Sequence, residues 1–278
     1  MDKSSIMRKG LVSYFMHLSI KLLKIVAPGL SKFIARKVLF TPSRNKVNWP
    51  KLVKQFDTKT RFGNIKTYKY GHGKCVWLVH GWSSCAFDFW PLMQQLAERG
   101  YSCISFDFPA HGISQGKQSS LPQMIKVFDD LSASLFAPNM IIAHSTGASV
   151  VANSRWFKQC TCDLLLISPV LNIYNSLQKR ATASGFDQDL LDQIVHDLYK
   201  KERLFLPNLN AMPKLKTFNG ELKIIHDRKD THAPFSMSEE LSQYTEAKLI
   251  TANKQGHNKI LRSRKLMTVI ESYNLLAS

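Results

Sequence analysis

Acidic residues are the scarce class in this chain: 20 Asp and Glu stand against 38 Lys and Arg, a formal net charge of +18. The imbalance is local. Through Lys69 there are 16 basic and 2 acidic residues, whereas from Lys74 onward the counts are 22 and 18. The basic character therefore belongs to an N-terminal stretch and calls for an anionic surface near that stretch. Cysteine is sparse too. Cys75, Cys85, Cys103, Cys160 and Cys162 make an odd count with no pair of CxxC motifs at zinc-finger spacing, and Cys75 and Cys103 sit in apolar runs where a thiol acts as a small hydrophobe. This usage points to a reducing, cytoplasmic setting. Only 13 Gly and 11 Pro occur in 278 residues that are 44% apolar, which excludes a disordered or collagen-like chain, and the length excludes a disulfide-stapled mini-protein. No apolar run is long enough to span a bilayer. The candidate, residues 11–27, reaches about 25 Å as a helix against roughly 30 Å of hydrocarbon, and Lys21 and Lys24 interrupt it.

That run places Ser13, His17, Lys21 and Lys24 on one polar stripe of an otherwise apolar helix. Pro28 and Gly29 break it. A second helix follows, in which Leu30, Phe33, Ile34, Val38 and Leu39 are expected to face one way and Lys32, Arg36 and Lys37 another. Two readings stay open: a helical hairpin peripheral to an anionic membrane at its inner face, or helices packed over the rest of the chain or a dimer interface. A basic start before an apolar run also matches a signal peptide, against which stand the lysines in the run and the lack of a small-x-small cleavage site. Residues 1–59 thus read as a basic amphipathic helical extension and linker, and residues 60–278 as a separate domain.

From about Arg61 short apolar runs alternate with helical patterns, the signature of an α/β fold with a mainly parallel sheet flanked by helices. Strands are expected at CVWLVHG from Cys75, SCISFDF from Ser102, MIIAHS from Met140, DLLLISPV from Asp163, LKIIHDR from Leu222 and AKLITAN from Ala247. Helices are expected over residues 86–98, 121–135, 146–158 and 258–274. Ligands of such sheets collect at the carboxyl ends of the strands, and these ends are polar. The third is decisive: small-His-Ser-Thr-Gly and a small-residue helix start follow an apolar strand, as in a nucleophile elbow, with Ala143 where G-x-S-x-G has its first Gly. An aspartate on the loop after the Leu222 strand and His257 on the loop after the Ala247 strand complete a nucleophile, acid and base in the chain order Ser145, Asp, His. Asp227 and Asp230 compete for the acid's place. His80, His144 and His226 close strands and read as structural hydrogen bonders. No HExxH and no Cys/His ligand cluster is present, so a metal is not expected.

From Arg61 to the C-terminus the chain resembles the α/β-hydrolase superfamily, and most of all small bacterial hydrolases of the esterase and lipase type. The resemblance is carried by HGW from His80, DFPAHGIS from Asp107, AHSTG from Ala143, HDRKD from His226 and GHNKIL from Gly256. It implies a serine hydrolase acting on carboxylic esters without a cofactor, with Ser145 as nucleophile, His257 as base, and an oxyanion hole from the backbone N–H groups of Trp82 and Thr146. It also favours Asp230 as the acid, because the family's acid precedes a proline four residues on, here Pro234. Asp227 then braces the loop, and Asp107 with His111 braces another. A short helical cap is expected at about residues 171–220. Within it DQDLLDQIVHDLYKKE from Asp187 sets Leu190, Leu191, Ile194, Val195 and Leu198 on one face, to roof an acyl pocket or to close a core. Partners would be a small-molecule or lipid ester. Thioesterase and acyltransferase chemistry use the same three residues, and a catalytically idle, membrane- or partner-binding member of the fold is the reading from a different class. The basic residues match no nucleic-acid motif.

Overall fold

The computed structural model describes residue 20 and residues 22–44 and 47–273. Most of the expected first helix, with Ser13, His17 and Lys21, lies outside them. The described chain divides into two compact units, one formed by the residues through Thr41 with Ile173–Leu209, the other by Pro42–Asn172 with the residues from Asn210 on.

The second unit is built on an eight-stranded sheet of order β1-β2-β4-β3-β5-β6-β7-β8. Strands β3 (Lys74–Val79), β4 (Tyr101–Phe106), β5 (Met140–His144), β6 (Asp163–Ile167), β7 (Leu222–Asp227) and β8 (Lys248–Ala252) are parallel and match the six expected strands. β4, β5 and β7 are buried along their whole length, which is why they read as continuous apolar runs rather than alternating ones. Helices cover both faces. Against one face pack Leu92 and Leu96 of α2 (Trp90–Glu98) and Leu266 and Ile270 of α8 (Arg264–Glu271), joining Val76, Leu78, Ile142, Leu165 and Ile225 in one core cluster. On the other, Trp77 meets Phe106, Phe128 of α3 (Leu121–Ser134) and Trp156 ring to ring.

β1 (Lys54–Thr60) and β2 (Gly63–Gly71) were not among the expected strands, and β1 falls in the stretch assigned from sequence to the extension. They form an antiparallel hairpin closed by Arg61 and Phe62, and β2 also pairs antiparallel with β4. Their buried positions include Thr58, Thr60 and Thr67, with the Thr58 and Thr67 hydroxyls 2.8 Å apart, so the inward face carries little hydrophobic signal. The expected helix over residues 146–158 is shorter: α4 is Thr146–Asn153. Ser154 turns out of it, accepting from Phe157 N at 3.1 Å, while Asp129 Oδ1 takes Arg155 N at 2.8 Å. Side chains there satisfy amides that a continuing helix would have used. The last expected helix also breaks, at Ser263, whose hydroxyl caps α8 by accepting from Leu266 N.

In the first unit α1 (Pro28–Phe40) lies with α5 (Ile173–Ala183) and α6 (Gln188–Glu202). α6 is the expected cap helix: Asp187 Oδ1 caps it by accepting from Leu190 N at 2.9 Å, and Leu190, Leu191, Ile194, Val195 and Leu198 are all buried. Of the apolar side expected on α1, Leu39 is buried and Ile34 half-buried. Ser31, Ala35 and Leu39 are inside, and Leu30, Phe33 and Val38 are exposed.

Candidate active site

Ser145 ends β5 and begins α4 with φ 54° and ψ −123°, a positive φ that a side chain adopts only when its surroundings fix it. Those surroundings are close backbones. A Cβ on Gly81 would lie 2.7 Å from Ser145 Cβ, and one on Gly147 would run into the Val79 and His80 carbonyls, so glycine is required at both. Ala143, in the place of the motif's first glycine, is buried in β5 between Val79 of β3 and Leu166 of β6. Its methyl is accommodated there. The turn is pinned by Ser145 N donating to Ile167 O at 3.0 Å, and Ser145 O accepts from Ala148 N and Val170 N, each at 3.1 Å.

The structure brings three of the sequence-derived residues together. His257 Nε2 lies 2.9 Å from Ser145 Oγ, and His257 Nδ1 lies 2.7 Å from Asp230 Oδ2. With the Ser145 hydroxyl donating to Nε2, the ring is in the tautomer whose Nδ1–H donates to the carboxylate. Burial alone would raise the Asp230 pKa. Hydrogen bonds from His226 and His257 and from the Ala233 and His232 amides outweigh it, and the carboxyl is held far below the usual range. Asp230 is thus an anion, fixed by four donors. Asp227 is used differently. Its Oδ2 accepts from Gln255 N and Gly256 N at 2.5 and 2.8 Å, and its Oδ1 from Lys229 N at 2.9 Å. It braces the loop that carries His257.

A family model described as serine aminopeptidase, S33, matches residues 71–271. The chain belongs to this family of α/β-hydrolases. Solved structures share the hydrolase's fold. The esterase Pf2001 of Pyrococcus furiosus superposes with a TM-score of 0.61 at 19% identity, over 85% of this chain and 96% of that one. The esterase EaEST of Exiguobacterium antarcticum gives 0.60 at 18%, over 80% and 99%, and the thioesterase domain from the curacin biosynthetic pathway 0.58 at 13%, over 78% and 98%. No curated protein matches the chain.

The hydrolase's other strand-end residues support this centre. His144 Nε2–H donates to His257 O at 3.0 Å, tying the His257 backbone to β5. Its burial, with His257 alongside, pushes the His144 pKa down to about 3, so the ring is neutral, and its Nδ1 has no partner. His80 Nε2 accepts from Phe108 N while Nδ1–H donates to Gly81 O, which joins the loops after β3 and β4. The expected pairing of Asp107 with His111 does not form. Asp107 accepts instead from Ala86 N, Ile113 N and the Tyr68 hydroxyl, and His111 Nδ1–H donates to Pro109 O. Trp82 is in the loop beside Ser145 with its ring edge-on to His111, and Thr146 opens α4.

Sequence reasoning missed three contributors. Tyr68 lies on the unpredicted hairpin, and His232 stacks on His257 with ring centres 5.1 Å apart. His226, read only as structural, reaches Asp230 Oδ2 with Nε2 at 3.2 Å and takes the Ser238 hydroxyl on Nδ1 at 2.8 Å. The i, i+4 spacing of His226 and Asp230 was the available signal. Among the described residues no three His, Cys, Asp or Glu side chains are grouped to hold a metal.

Proposed function

We propose that this hydrolase cleaves carboxylic esters through an acyl-enzyme on Ser145. His257 Nε2 takes the hydroxyl proton as Ser145 Oγ attacks the carbonyl carbon. The tetrahedral oxyanion is met by the backbone N–H groups of Thr146 and Trp82, in the field of the α4 N-terminus. Collapse breaks the ester C–O bond, and His257 hands its proton to the departing alkoxide. Water then repeats the sequence, His257 taking one of its protons, to release the acid and restore Ser145. Asp230 remains an anion throughout, holding the ring's tautomer and stabilising the imidazolium. The observation that carries the reading is the unbroken line from Ser145 Oγ through His257 to Asp230, at 2.9 and 2.7 Å, on a serine held at positive φ.

The test is labelling of the purified protein by a fluorophosphonate, with Ser145→Ala and His257→Ala as controls, then rates on p-nitrophenyl esters, acyl thioesters and aminoacyl p-nitroanilides. Labelling that Ser145→Ala abolishes, with the esters turned over fastest, is the expected result. Labelling with thioesters or anilides preferred would move the scissile bond and keep the nucleophile. A folded protein that takes no label would leave an idle member of the fold. Rates that rise from acetyl to octanoyl esters would assign an apolar acyl group.

A further inference from the structure

The described N-terminal helical segment is amphipathic, yet it turns its charged side toward its own unit. Lys24 Nζ pairs with Asp187 Oδ2 at 2.9 Å and Asp189 Oδ2 at 2.6 Å, and Lys32 Nζ with Asp197 Oδ2 at 2.6 Å, with Arg36 Nη1 at 4.0 Å from the same oxygen. All three aspartates belong to α6 and its cap. Ser31 and Ala35 beside them are small enough to let α1 lie close, and the Arg180 guanidinium of α5 donates to the Leu39 carbonyl. The large apolar side chains are left on the other side. Leu22, Ile25, Val26, Leu30, Phe33 and Val38 are 45–80% exposed and make up six of the twelve large exposed hydrophobics among the described residues, all within seventeen positions. Single exposed apolar side chains are ordinary, whereas a run of them on one short segment marks an interaction surface.

Charge identifies the partner. Residues 1–41 hold eight Lys and Arg and one Asp, while residues 173–209 hold five basic and five acidic residues, so the unit carries +7. A second copy would bring +7 against +7. A surface that is apolar beneath an anionic rim fits both features, and Lys37 stands within the exposed face with Nζ 6.0 Å from the Phe33 ring centre. We propose that Leu22, Ile25, Val26, Leu30 and Phe33, with Lys37, form a docking face for an anionic lipid bilayer. The apolar side chains enter the boundary between headgroups and acyl chains, and lipid phosphates meet Lys37. The ion pairs to α6 give this docking a particular form: the helix reaches the lipid fastened to the cap segment, not as a free arm. Among the described residues no helix is long and apolar enough to cross a membrane. The proposal is independent of the reaction at Ser145.

The test is co-sedimentation of the full-length chain with phosphatidylcholine vesicles with and without phosphatidylglycerol, beside Ile25→Glu/Phe33→Glu and Lys37→Glu. Binding at least about tenfold stronger to the anionic vesicles, weakened by salt and lost in the double variant with its circular dichroism and soluble-ester activity intact, is expected. Lys37→Glu, which leaves the five apolar side chains in place, is expected to weaken binding several-fold and serves if the double variant fails to fold. Wild-type protein that stays in the supernatant, binding unchanged by either variant, or a dimer that the double variant dissociates would each overturn the proposal, the last by assigning the face to a second copy.

Discussion

The two compact units treat the same kinds of side chain in opposite ways. In the unit that carries the site, the apolar runs of β4, β5 and β7 are buried from end to end, and the polar side chains at the strand ends are held by hydrogen bonds. In the unit made of the N-terminal segment and the cap, Lys24 and, in α1, Lys32 go inward against aspartates while Leu30, Phe33 and Lys37 face out. Each arrangement follows from what is available to bury. A six-strand parallel array offers a large dry surface to any apolar residue, whereas α6 offers α1 a row of carboxylates, which cations satisfy and leucines do not. A hydrophobic stripe therefore states that a surface needs a partner and leaves open which partner.

The largest effect that could break this contrast lies at Ser145. Ser145→Ala should lower kcat/KM by about three or four powers of ten with an unchanged melting temperature; a smaller loss would show that the tightly held polar site is not where the chemistry occurs. Next comes the division of labour between the two aspartates. Asp230→Asn should lower kcat by a comparable factor, because the amide favours the wrong tautomer of His257. Asp227→Asn, which takes away a charged acceptor of three loop amides, should cost about 1–3 kcal/mol of stability and far less in kcat. Unfolding curves and steady-state kinetics on the pair would separate the roles, and equal kinetic losses would refute them.

A third test concerns the cost of burying polar rings. Burial, reinforced by the neighbouring His80, pushes the His111 pKa down to about 3, as burial does for His144. An unfolded imidazole takes its proton near 6.5, so between about pH 6.5 and 3 the unfolded chain binds more protons and the native state loses stability as the pH falls. The slope is about 1.4 kcal/mol per pH unit for each ring. His111→Asn should flatten urea-derived stability against pH by about that amount, and an unchanged slope would show that the ring is not held neutral. The smallest effect belongs to the other unit. Lys32→Ala should change stability by at most about 1 kcal/mol, fading in salt; a larger loss would mean that its charged inner face is a core in its own right.

Much of the site was legible because it is written in short segments. The elbow needs Gly147 after Ser145 and Gly81 opposite it for reasons of backbone approach, and the order Ser145, Asp230, His257 places each on a loop after its own strand. Less local features were hidden. The β1–β2 hairpin turns threonines inward, and without apolar alternation it left no strand signal. The helix after Ser145 stops at Asn153 because Asp129, from α3, receives the Arg155 amide. The assumed brace between Asp107 and His111 failed because Tyr68, on that same hairpin, and the amides of Ala86 and Ile113 occupy the carboxylate.

Local sequence was enough to specify the alternation of strand and helix, the sharp turn at Ser145, and the candidates for a nucleophile, a base and an acid. Period and turn chemistry act over a few residues, and a few residues suffice to read them. Which acid meets His257 was a matter for long-range packing. Asp227 and Asp230 differ by three positions, and one loop conformation sends Asp227 to the Gln255 and Gly256 amides and Asp230 to the imidazole. The outermost side of α1 was chosen in the same way, since it depends on Asp187, Asp189 and Asp197, about 160 residues further along the chain. Pairing between distant segments selects among surfaces that local pattern can only present.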